Sequence, residues 1–122
     1  MRSFVHERSY GSVKVYWLDL EALIEALRAI AARLASFHPE IARVVLFGSV
    51  ADDSATPHSD ADLLLVVRGA KEPWHQRLAP YQEHFADLAF PVDLFVYTPE
   101  EVKRLPLARR AAEQGIDLVA AR

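Results

Sequence analysis

The chain of 122 residues allows one hydrophobic core but not two, so a single domain spanning 1–122 is expected. Its 52 % apolar and 25 % charged residues exclude intrinsic disorder, and a formal net charge of −3 gives no strong nucleic-acid signal. Without cysteine there is no disulfide or thiolate chemistry; without a signal-type N-terminus or an apolar run of about 20 residues, no membrane role is expected and a cytoplasmic protein is the default.

Residues 1–11 leave room for a flexible arm. Ser12 to Leu18 alternate, with Val13, Val15 and Trp17 on one face, as suits a strand or ordered arm, either in the sheet or against a second copy in a homodimer. Asp19 is placed to N-cap an amphipathic helix whose stripe is Leu20, Leu23, Ile24, Leu27, Ile30, Ala31 and Leu34. Pro39 ends that helix by disfavouring helical geometry at His38. Ala42 to Phe47 reads as a central strand closed by Gly48-Ser49, and Ala51 to Ser59 as a polar loop. Asp60 to Val67 is a second buried strand. Trp74, Leu78, Tyr81, Phe85 and Leu88 follow helical spacing, but Pro80 predicts a kink or two short helices. Val92 to Tyr97 is a third strand. Thr98-Pro99-Glu100-Glu101 has the form of a capping box, and a short helix should follow, then another around Leu107 to Gln114. Gly115 suits the C′ position that ends that helix, and Ile116 to Val119 an edge strand. These elements predict an α+β domain, a small mixed β-sheet with helices packed mainly on one face.

Three carboxylates occupy positions where strands prefer apolar residues. Asp60 and Asp62, two apart at a strand start, leave the same face, and Asp93 points opposite to Val92, Leu94 and Val96. If the two strands pair, the carboxylates converge and repel unless a cation joins them. Mg²⁺ suits such oxygen ligands and leaves positions for phosphates. Gly48-Ser49, at a strand end, lets a phosphate approach the backbone and offers a hydroxyl. Each signal alone has a plainer meaning: an Asp-x-Asp is usually a solvated pair, and a Gly-Ser a tight turn. Their conjunction points to metal-assisted chemistry on a nucleoside triphosphate. His75 and His84 are expected as surface residues, His58 as a solvated loop residue or, being near the Asp pair, a contact to metal or phosphate, and Trp74, Tyr81 and Phe85 as core. Tyr97 shares the face of Asp93 and suits either the cleft or packing.

The stretch LFGSVADDSATPHSDADLLLV, with Gly48-Ser49, ten residues, then Asp60-x-Asp62, and PVDLFVYTPEE with Asp93, resembles the signature of the DNA polymerase β-like nucleotidyltransferase superfamily. In style it is similar to the small prokaryotic minimal nucleotidyltransferase (MNT) proteins, many of them antitoxins paired with a HEPN-type toxin. That resemblance implies a Mg²⁺-dependent enzyme (Mn²⁺ being an alternative) that moves AMP from ATP to a hydroxyl of a partner protein. Asp60, Asp62 and Asp93 would be its catalytic and metal-binding residues, with Asp93 a general base, and Gly48 and Ser49 its nucleotide-binding residues. One departure stands out. Family members commonly read Gly-Ser-Arg-Ala-Arg-Gly, whereas this chain reads Gly48-Ser49-Val50-Ala51-Asp52-Asp53. Lys71, Arg77 or a partner chain are the candidate replacements for the lost positive charge. The alternatives are an MNT-fold antitoxin with weak or no catalysis that acts by binding and, less well fitted to so short a chain, an antibiotic-modifying nucleotidyltransferase.

Overall fold

The computed structural model describes residues 4–122. Strands β1 (Val5–Tyr10) and β2 (Val13–Leu18) form a two-stranded antiparallel hairpin, turning at Gly11 with φ +61. A two-residue turn of this kind needs positive φ, which glycine adopts without strain. The expected alternation in Ser12 to Leu18 is thus a strand, but its partner is Val5–Tyr10, inside the segment expected as an arm. Residues 1–3 of that segment lie outside the described residues. VHERSY has no apolar alternation to betray a strand; its pairing comes from β2. The face carrying Val13, Val15 and Trp17 does not join the main sheet, and these side chains stay exposed, as do Tyr10 and Tyr16. The hairpin is moored at its base, where Phe4 is buried in the core and accepts a bond from the Asp19 N–H at 2.7 Å.

Asp19 caps helix α1 (Leu20–Phe37), its carboxylate accepting from the Ala22 N–H at 3.1 Å. The helix stops at His38, as Pro39 requires. Strands β3 (Ile41–Phe47), β4 (Ala61–Val67), β5 (Val92–Tyr97) and β6 (Ile116–Val119) form one sheet in the order β5-β4-β3-β6. β3 is antiparallel to β4 and β6, and β4 is parallel to β5. The kinked region resolves into a 3₁₀ turn at Trp74–Gln76, helix α2 (Ala79–Gln82) and a second 3₁₀ turn at Glu83–Phe85. Tyr81 and Phe85 are buried as expected, but Trp74 is 53 % exposed: the break at Pro80 takes the first turn off the apolar stripe. Helices α3 (Pro99–Arg104) and α4 (Pro106–Gln114) follow β5. Thr98 and Glu101 form the full capping box that begins α3.

The period of two in the strands sorts their residues between two cores. Val44, Leu46, Leu63, Leu65, Val67 and Val96 face the larger core under α1. Val45, Leu64 and Val66 face the smaller one, where Ala108 and Ala111 of α4 pack close to the sheet. The architecture is therefore the α+β sandwich expected, with its main helix layer on one face and α3 and α4 covering part of the other. Among the described residues no helix is long and apolar enough to cross a membrane.

Candidate active site

Asp62 is on the strand face opposite the larger core, the one shared with Leu64 and Val66. Its antiparallel partner is Phe47 and its parallel partner is Asp93, so β4 carries it between a ring and a second carboxylate. Neighbouring strands are about 4.8 Å apart, and two in-register carboxylates on one face are close neighbours. Burial, then the charges of Asp93 and Asp60, push the Asp62 carboxyl above its ordinary range. Phe47 and Phe95, whose rings are 5.4 Å apart, provide an apolar surround. Asp93 is exposed, and so is Asp60, which lies just before β4 begins. The three acids are thus brought to one end of the sheet, with Asp62 the enclosed member. Among the described residues no three His, Cys, Asp or Glu side chains are already drawn together tightly enough to hold a metal ion.

Gly48 ties the turn to this acid. It has φ +79, and a Cβ placed there would collide with Asp62 Oδ2 and lie 3.4 Å from its Cγ. Only glycine allows both the left-handed backbone and the close approach of that carboxylate. The chain then makes a single helical turn, with Asp52 N–H to Gly48 O at 3.1 Å and Ser54 N–H to Ser49 O at 3.0 Å. The residues after Ser49 explain the departure from the family pattern. Val50 is 1 % exposed and packs in the larger core, and the Asp52 carboxylate bonds the Ser54 N–H at 3.1 Å and its hydroxyl. These side chains complete the loop itself.

A cavity of about 410 Å³ opens beside Asp62, lined on one side by Phe47, Gly48, Ala51 and Asp52 and on the other by Leu107, Arg110 and Gln114 of α4. Its size falls within the range of small-ligand sites. Gly115 lets α4 lie this close. Gly115 follows the last helical residue as expected, its backbone is extended (φ −79, ψ 178), and the reason for glycine is contact: a Cβ would strike the Val45 side chain and sit 2.7 Å from the carbonyl oxygens of Leu46 and Ala111. Ser49, Asp60 and Asp93 are near this end of the sheet but do not line the cavity.

Of the expected sources of positive charge, neither Lys71 nor Arg77 reaches it. Lys71 follows the far end of β4, about 15 Å or more along the strand from Asp62. Arg77 is 7 % exposed and is held by Glu101 Oε1 at 2.6 Å, the Glu72 carbonyl at 2.8 Å and the Val96 carbonyl at 3.2 Å. It is a structural pin between the 3₁₀ turn and α3. The cation that does line the cavity is Arg110, which the sequence reading missed. It lies in α4, whose spacing from the Gly-Ser turn is set by topology and carries no local signal.

The parallel β4–β5 pair, the two facing acids and the glycine turn over one of them lie together at one end of the sheet. The family model for the nucleotidyltransferase domain matches residues 27–118. The chain belongs to that family, and nucleotidyl transfer is the chemistry of the domain. Among solved structures it is similar to a Sulfolobus solfataricus protein described as a "putative nucleotidyltransferase", with a TM-score of 0.62, 23 % identity, and 80 % of each chain covered. At that identity the likeness is one of fold. No curated protein matches the chain.

Proposed function

We propose that the chain is an adenylyltransferase that moves AMP from ATP to a hydroxyl of a separate protein, as MNT antitoxins do to HEPN-type toxins. The observation that carries this reading is the in-register pairing of Asp62 with Asp93 beneath Gly48, beside a cavity whose far wall is Arg110. The donor triphosphate lies in the cavity, with the Gly48-Ser49 turn and Arg110 on its phosphates. Arg110 supplies there the charge that Val50 and Asp52 no longer do. Asp60, Asp62 and Asp93 are the hard-oxygen donors that fit Mg²⁺, and the Asp62 carboxyl, raised first by burial and then by the charges of Asp93 and Asp60, is one that a cation would stabilise in its ionised form. Bound there, Mg²⁺ supplies neutralisation of the triphosphate and of the leaving pyrophosphate. Asp93, exposed on the open side of Asp62, accepts the proton of the incoming hydroxyl. That exposure favours an acceptor carried by another protein over one enclosed within this chain.

The alternative, an antitoxin that acts by binding alone, draws support from the exposed apolar side chains of the hairpin, a surface suited to a protein partner or a second copy. Labelled ATP, Mg²⁺ and a HEPN-type partner decide between them. Label transfer that disappears in Asp62→Asn and Asp93→Asn supports the enzyme. No label transfer by the wild type, with neutralisation of the partner undiminished in both variants, overturns it in favour of binding.

A further inference from the structure

A second group of metal-ligating side chains lies away from these acids, where the C-terminus of α1 meets the 3₁₀ turn Glu83–Phe85. His38 and His84 bring their Nε2 atoms to 3.2 Å of one another, with ring planes 82° apart. The opposite nitrogen of His38, Nδ1, faces Glu40 Oε2 at 3.3 Å, and the same oxygen accepts from the Tyr81 hydroxyl at 2.8 Å. His84, expected to be a surface residue, is half-buried, and Phe37 packs near its ring with centroids 5.9 Å apart.

We infer that His38 and His84 form a binding site for a late first-row divalent cation of the Zn²⁺ class, with Glu40 as the carboxylate that orients His38. Zinc binds imidazole nitrogen at about 2.0–2.1 Å, so two tetrahedral ligands sit about 3.3 Å apart. The Nε2 pair is already at that separation. Ligating histidines ordinarily direct their other ring nitrogen to a carboxylate or carbonyl, which fixes the tautomer and orientation. Glu40 does this for His38, and Tyr81 fixes Glu40 in turn.

The tautomers follow. The proton on His38 Nδ1 goes to Glu40, which leaves His38 Nε2 with a lone pair and makes His84 Nε2 the donor of the imidazole–imidazole bond. Binding the cation therefore asks that His84 Nε2 give up its proton, to Nδ1 or to solvent, and present its lone pair. The protein supplies two ligands; water or a group from outside the chain fills the remaining positions. Oxygen-preferring Mg²⁺ is a poor match for this pair, so the site is chemically separate from Asp60, Asp62 and Asp93.

The test is a Zn²⁺ titration of the full chain, read by long-range ¹H–¹⁵N correlation of the imidazoles. This reports histidine ligation alone and ignores any cation held by carboxylates. The Nε2 signals of His38 and His84 should move to metal-bound positions while those of His6, His58 and His75 stay. Saturating Mg²⁺ should move neither. His84→Ala should abolish the shift at His38. Glu40→Gln, which keeps both ligands, should weaken Zn²⁺ binding about tenfold. Unshifted His38 and His84 at saturating Zn²⁺ would overturn the assignment, as would undiminished Zn²⁺ binding at His38 in folded His84→Ala.

Discussion

Replacing Glu101 by Gln tests the pin between Arg77 and α3. Glu101 Oε1 accepts from Arg77 Nη1 at 2.6 Å and from the Thr98 N–H at 2.8 Å, and Oε2 receives Nη2 at 3.4 Å. The Arg77 hydrogen bond holds the Glu101 carboxyl well below the usual carboxylate range, at about 2 against an ordinary 4.5. Burial opposes that shift, and the Thr98 N–H, the Arg77 charge and the Thr98 hydroxyl reinforce it. Taken at face value, such a depression is worth about 3 kcal/mol of stability at neutral pH. Glu101 is 23 % exposed, so solvent screening reduces this to about 2 kcal/mol. Gln keeps an acceptor for the cap but leaves a buried guanidinium with only carbonyl partners. Urea denaturation at pH 7 should therefore show Glu101→Gln less stable by about 2 kcal/mol, with Tm lower by roughly 5–10 °C. Because the folded pKa is depressed, the contribution is complete above pH 4.5 and declines as pH falls toward 2. The gap between wild type and variant should narrow over that interval. A gap below about 0.5 kcal/mol at pH 7, or one that stays constant down to the acid limit of folding, refutes the reasoning.

Three further outcomes are expected. Asp62→Asn should stabilise the metal-free protein by about 0.5–2 kcal/mol at pH 7, because it removes a half-buried carboxylate facing Asp93 and Asp60, and Mg²⁺ should raise the Tm of wild type but not of this variant; equal response to Mg²⁺ in both counts against the site. Gly48→Ala puts a methyl group on Asp62 Oδ2 at positive φ, so it should cost about 1–3 kcal/mol and displace the acid, seen as lower urea midpoints together with lost label transfer. Arg110→Ala removes an exposed side chain and should leave stability within about 0.5 kcal/mol, while ATP affinity by calorimetry falls about tenfold; unchanged affinity would separate the cavity from the phosphates.

The sequence made the main sheet legible because its strands carry unambiguous signals. ARVVLF and DADLLLVV are too apolar for loops and too short for helices, and the two-residue period already put Asp93 on the face opposite Val92, Leu94 and Val96. The Asp19 cap, the stop at Pro39 and the Thr98–Glu101 capping box were legible for the same reason: each is a local hydrogen-bonding or steric rule. What stayed hidden depends on distant partners. VHERSY becomes a strand only because β2 pairs with it. Gly115 is needed by Val45 and Leu46, far along the chain, as well as by its own helix. Arg110 reaches the cavity, and His84 reaches His38, through packing that no spacing in the sequence encodes.

The parallel pairing of β4 with β5 has a consequence for the order in which the site is assembled. β3 and β4 are linked by one loop, and zipping that antiparallel pair already lays Gly48 over Asp62. Asp93 arrives only when the whole crossover through α2 has closed, and a longer loop costs more entropy before its contacts repay it. β5 is also an edge strand of its sheet, with a neighbour on one side alone. The second acid therefore joins the site after the glycine turn in folding, and is lost with β5 in any local opening of that edge. With β5 detached, the site would keep the glycine turn yet hold Asp62 as its single strand-borne carboxylate.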